Sequence, residues 1–122
     1  MPAASVRPAV LAEDDATLRE LLRQALESAG FEVAAVNDGL QALAACQAVR
    51  PALIVTNIAL RGPEFLERAR AEGIDAPALI LTTEFDTTAR ALAARDPKVA
   101  ALKKPFPLED FLTAIQELLG PG

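Results

Sequence analysis

Ala9-Val10-Leu11-Ala12 runs directly into Glu13-Asp14-Asp15, after which Leu18, Leu21, Leu22, Ala25, Leu26 and Ala29 recur at helical spacing. The stretch reads as a buried strand, an acidic junction and an amphipathic helix. Gly30 closes that helix, because only glycine takes the left-handed backbone cheaply. Outward from this unit the same alternation repeats. Phe31-Glu32-Val33-Ala34-Ala35-Val36 is a second strand, and Asn37-Asp38-Gly39 turns it into a helix with Leu40, Leu43 and Ala44 on one face that stops before Pro51. Ala52-Leu53-Ile54-Val55-Thr56-Asn57 is the nearly continuous apolar run of a strand buried on both faces. A helix from Pro63 to Gly73, a strand at Ala78-Leu79-Ile80-Leu81-Thr82, a weaker helix over 87–94 and a strand at Val99-Ala100-Ala101-Leu102 follow. Leu108, Phe111, Leu112, Ile115 and Leu119 form the stripe of a last helix. Strict alternation of strand and helix predicts a doubly wound α/β fold with a five-stranded parallel sheet and right-handed crossovers. Residues 1–8 read as a tail and 9–120 as one domain.

Composition narrows the function. The chain has 122 residues, 52% of them apolar and 24% charged, enough to bury roughly two-thirds of the surface exposed when unfolded. Twelve Lys and Arg against seventeen Asp and Glu give a net charge of −5, with no basic run to neutralise phosphates, so nucleic acid is not an expected partner. With one cysteine, Cys46, and no histidine, an intramolecular disulfide is impossible and a zinc site lacks its usual ligands. Cys46 reads as a small buried side chain. No apolar run approaches the roughly 18 residues of a membrane span, and a soluble, cytoplasmic protein is expected.

Open α/β sheets bind ligands at the carboxyl ends of their strands, beside the point where strand order reverses. That rule selects Glu13, Asp14 and Asp15 after the first strand, Asn57 after the third, Thr82 and Thr83 after the fourth, and Lys103 and Lys104 after the fifth. Two readings of the acidic triplet stand side by side. Two carboxylates and an amide oxygen are hard ligands of the kind Mg²⁺ takes; equally, Asp14 or Asp15 can cap the following helix, where an acidic oxygen meets unpaired N–H groups. A flavin mononucleotide carrier of the same architecture is disfavoured, because Glu13-Asp14-Asp15 would repel phosphate and no Trp or Tyr is present to sandwich the flavin.

The acid pair, the amide, the threonine and Lys104-Pro105 at successive strand ends resemble the receiver domain of bacterial two-component response regulators, from Val10 to Leu119. The segments Val10–Leu22 and Leu102-Lys103-Lys104-Pro105-Phe106 carry the resemblance most closely. It implies a flavodoxin-like (βα)5 fold with strand order 2-1-3-4-5. It also implies that Glu13 and Asp14 match the metal-binding acids, with the backbone carbonyl of Ala59 as a further ligand. Thr82, followed by Thr83, matches the switch hydroxyl, and Lys104, before a cis peptide to Pro105, matches the lysine that contacts the phosphoryl group.

Three features depart from the family pattern. Asn57 stands where the resemblance places the phosphoacceptor aspartate, and a neutral carboxamide is a poor nucleophile for phosphorus. Ala101 stands at the switch aromatic, and Leu60-Arg61-Gly62-Pro63-Glu64-Phe65 runs shorter than the family's loop. Losing a carboxylate also weakens any Mg²⁺ site, since opposite unit charges attract by about 4 kcal/mol at roughly 4 Å and an effective dielectric near 20. The expectation is an atypical receiver that is no enzyme and requires no cofactor, with Mg²⁺ bound weakly or not at all. It would dock on a signalling protein, a histidine kinase or another regulator, through the fourth helix, fifth strand and fifth helix, as a monomer or weak homodimer. Two alternatives remain: phosphotransfer through another carboxylate, Asp14 being nearest, or an ordinary regulator inactivated by an Asp-to-Asn change.

Overall fold

The computed structural model describes residues 7–57, 62–83 and 88–120. Strands and helices alternate as β1 (Arg7–Ala12), α1 (Ala16–Ser28), β2 (Phe31–Val36), α2 (Gly39–Val49), β3 (Leu53–Asn57), α3 (Gly62–Ala71), β4 (Ala78–Thr82), α4 (Thr88–Arg95), β5 (Val99–Lys103) and α5 (Leu108–Leu119). All pairings in the sheet are parallel, in the order β2-β1-β3-β4-β5. The doubly wound, flavodoxin-like expectation holds. Strand β1 takes in Arg7 and Pro8, ahead of the apolar run, because Arg7 pairs with Phe31 and Pro8 with Glu32, and the Arg7 guanidinium lies 4.6 Å from the centre of the Phe31 ring.

Side chains alternate across the strands, so each face of the sheet has its own core. Val10, Ala12, Ile54, Ala78, Ile80 and Val99 pack beneath α2, α3 and α4. Leu11, Leu53, Val55, Leu79 and Leu81 pack against Leu22 and Leu26 of α1 and Phe111 and Ile115 of α5. The central strands β3 and β4 are buried along their whole length, whereas β5, at an edge, exposes Ala101 and Lys103. Helix α2 corrects one expectation. Its buried residues are Ala42, Leu43 and Cys46, while Leu40 is 77% exposed and Ala44 lies outward. Burial pushes the Cys46 thiol up to about 11.

Local chemistry sets the helix ends. Asp15 caps α1, its side chain accepting from the Leu18 N–H at 2.9 Å, and Asp38 caps α2 in the same way through the Gln41 N–H at 2.8 Å. Gly30, at φ +99°, makes the left-handed turn after α1 that leads into β2. The order of strands reverses between β1 and β3, and Ala12 lies opposite Thr56 in their register. Glu13 and Asn57 are thereby brought to neighbouring strand ends, at the crevice where such sheets place ligands.

Candidate functional site at the strand ends

Glu13 organises the rim. It is fully buried, and both of its oxygens are engaged. Oε1 accepts from Lys104 Nζ at 2.9 Å, and Oε2 accepts from the Asp15 N–H at 3.0 Å and from Asn57 Nδ2 at 3.1 Å. The Asn57 amide nitrogen also donates to Asp14 Oδ1 at 3.1 Å, so a single NH₂ group bridges the two acids. The Glu13 backbone is fixed from both sides: its N–H donates to the Val36 carbonyl at 3.1 Å, and its carbonyl accepts from Arg19 Nη1 at 2.8 Å. A buried carboxylate is tolerated only when paired and hydrogen-bonded, and Glu13 meets both conditions.

Each bond follows from the topology. Glu13 and Asp14 extend from β1, Asn57 closes the adjacent β3, and Lys104 follows β5. The Lys104 N–H donates to the Thr82 carbonyl at 2.6 Å, and the Lys104–Pro105 peptide is cis. Phe106 stacks on Phe111 with ring centroids 6.0 Å apart, seating the chain beyond Pro105 on α5. The Glu13–Lys104 bond therefore reaches from one of the central strands of the sheet to its β5 edge.

Of the residues selected from the sequence, Glu13, Asp14, Asn57 and Lys104 form one hydrogen-bonded cluster. The acidic triplet divides its work: Asp15 caps α1 by its side chain, and Glu13 and Asp14 face Asn57. Thr82 is buried at the end of β4, with its hydroxyl donating to the Thr83 carbonyl at 3.3 Å, while Thr83 is exposed. Ala101 lies exposed on β5 opposite Ile80. Ala59 and most of the loop after β3 lie outside the described residues. Among the described residues no three Asp, Glu, Cys or His side chains gather closely enough to hold a metal ion. Two contributors escaped the sequence reading. The Asp15 N–H and Arg19 both serve Glu13, and only the position of Arg19 one turn into α1 hinted at its reach back to the strand end.

A doubly wound sheet with an acid pair, an amide and a lysine at its carboxyl edge defines a flavodoxin-like α/β domain with a charged strand-end site, and comparison with known proteins specifies it. The family model for the response regulator receiver domain matches residues 9–116, and the chain belongs to that family. Response regulator MprA of Mycobacterium leprae is 34% identical over 110 residues, which cover 88% of this chain and 48% of that protein. The DNA-binding response regulator MtrA of Mycolicibacterium paratuberculosis is 30% identical over 112 residues, 90% of this chain and 50% of the relative. The chain thus spans about half the length of these curated relatives. The chemotaxis response regulator CheY4 of Vibrio cholerae superposes with a TM-score of 0.83 at 27% identity, covering 93% of this chain and 99% of the other.

Proposed function

We propose that this receiver domain works without phosphorylation at position 57, as a protein-binding module in two-component signalling. The observation that carries the reading is the direction of the Asn57 hydrogen bonds. Its amide nitrogen donates to Glu13 and to Asp14, each at 3.1 Å, so residue 57 is a neutral donor where phosphoryl transfer needs an anionic nucleophile. The donor set fits Mg²⁺ poorly as it stands. Both Glu13 oxygens are engaged, and the amide would have to turn over to offer its oxygen to a cation. The domain accordingly needs no cofactor and catalyses no reaction of its own.

The partner is a signalling protein, a histidine kinase or another regulator. The exposed residues of β5, Ala101 and Lys103, lie on the side of the sheet that the family resemblance implicates in docking. Ala101 has no ring to swing inward when Thr82 moves, which also supports an output independent of phosphorylation. One relative is named as DNA-binding, but this chain has no Lys/Arg run suited to phosphates, and we assign it a protein partner.

Intact mass after incubation with Mg²⁺ and acetyl phosphate tests the proposal on the wild type and on Asn57→Asp. The wild type should gain no phosphoryl group. A gain in the wild type overturns the reading, and its loss in Asp14→Asn would then assign the phosphoryl group to Asp14, the exposed carboxylate of the cluster.

A further inference from the structure

The acid pair of the rim needs a neutralising charge when no metal supplies one, and Lys104 is placed to give it. We propose that the Lys104 ammonium is the resident cation of this site, held on Glu13 so that a divalent ion is excluded and the rim is fixed in one state. The inference rests on the reading of Asn57 as a neutral donor and deepens it.

Lys104 Nζ lies 2.9 Å from Glu13 Oε1, a charge-assisted hydrogen bond, and the Glu13 side chain is entirely inaccessible to solvent while Lys104 is 24% exposed. The ammonium is thus on the solvent side of the pair. The other oxygen, Oε2, is saturated by the Asp15 N–H and the Asn57 amide. A metal ion would have to displace the ammonium and turn the amide over, against two hydrogen bonds that the amide makes to the acids. Charge balance points the same way. Glu13 and Asp14 carry two negative charges and Lys104 one positive, so a divalent ion added beside the lysine would leave the cluster net positive. Without the lysine the same ion would neutralise the pair. Lys104 and a divalent cation are therefore alternatives on Glu13, and Asn57 favours the lysine by supplying no third carboxylate.

The test is a melting curve of wild type, Lys104→Gln and Lys104→Arg in EDTA and in roughly 10 mM MgCl₂ at matched ionic strength. Linkage of a bound ion to stability predicts that the wild type moves by less than about 1 °C and that Lys104→Gln, weakened in EDTA by its unpaired Glu13, rises by about 3 °C or more with Mg²⁺. Lys104→Arg restores the positive charge and should be as unresponsive as the wild type. Recovery of folded circular dichroism on adding Mg²⁺, should Lys104→Gln be unfolded in EDTA, supports the proposal equally. A wild type stabilised by Mg²⁺ as much as Lys104→Gln overturns it, as does a Lys104→Gln that Mg²⁺ neither stabilises nor folds. Phosphoryl gain is read by mass and cation binding by melting, so failure of this inference and failure of the proposed function are told apart.

Discussion

Among the ion pairs on the β5 side of the sheet, one at the carboxyl end and one at the opposite end are built differently. At the carboxyl end, Lys104 meets a Glu13 that is wholly buried and whose oxygens are both satisfied. At the opposite end, where β4 and β5 begin, Arg70 of α3 meets Asp96 at 3.0 Å, with side chains 21% and 30% exposed. There Asp96 also accepts from the Lys98 N–H, and Arg70 Nη1 donates to the Ile74 carbonyl, but Arg70 Nη2 is buried without a hydrogen-bond partner. A groove of about 560 Å³ lies beside it, lined by Leu66, Arg70, Leu92, Arg95 and Val99 among others. The contrast teaches where this fold demands completeness. Glu13 encloses its charge and has both oxygens satisfied, whereas Arg70 leaves one buried N–H group without a partner beside the groove.

The largest effect should come from putting charge back into the rim. Asn57→Asp removes two donations to charged acceptors, each worth about 1.5–3 kcal/mol, and sets a third carboxylate against the acid pair, with attraction to Lys104 returning part of the loss. In metal-free buffer the variant should lose about 3 kcal/mol in a urea titration, and a higher melting point than wild type would refute the account of the rim. Arg70→Met sharpens the comparison from the other side. It removes the pair and the unpaired Nη2 together and fills the groove edge with an apolar chain, while Asp96 keeps the Lys98 N–H. The change should be about 1 kcal/mol or less. A loss as large as that of Asn57→Asp would mean the two ends are not built on different rules.

The same contrast explains what the sequence disclosed. The alternation of strands and helices and the convergence of Glu13, Asp14, Asn57 and Lys104 were legible because continuous apolar runs end in polar residues at the carboxyl edge of a parallel sheet, whereas the strand order came only with the family resemblance. The partition of the triplet was not legible, since Glu13, Asp14 and Asp15 are chemically alike in one dimension and only the helix start at Ala16 decides that Asp15 caps. The outward turn of Leu40 escaped for a related reason: apolar spacing alone does not distinguish a face carrying Leu40 and Ala44 from one carrying Ala42 and Cys46. The Arg70–Asp96 pair, 26 residues apart in sequence, had no local signature at all.

The smallest effect separates the two ends by pH. At the Arg70 end the Lys98 N–H, with Arg70 helping, holds the Asp96 carboxyl below its usual 3.8, and the Lys98 ammonium does the same for Asp75, 3.1 Å away. On α1 the Arg23 guanidinium, bonded to Glu20, lowers that carboxyl to about 2, an exposed pair that salt will screen. A carboxyl whose pKa is lower in the folded than in the unfolded state stabilises the fold above its unfolded value and loses that contribution as pH falls through the folded one. Stability should therefore decline as pH falls below about 4, as protonation removes the acceptors that tie α3 and the α4–β5 turn together. Asp96→Asn keeps an oxygen for the Lys98 N–H but has no charge to lose. Its melting temperature should fall less steeply than that of the wild type over this range, and parallel pH profiles for the two would remove Asp96 from the acid response.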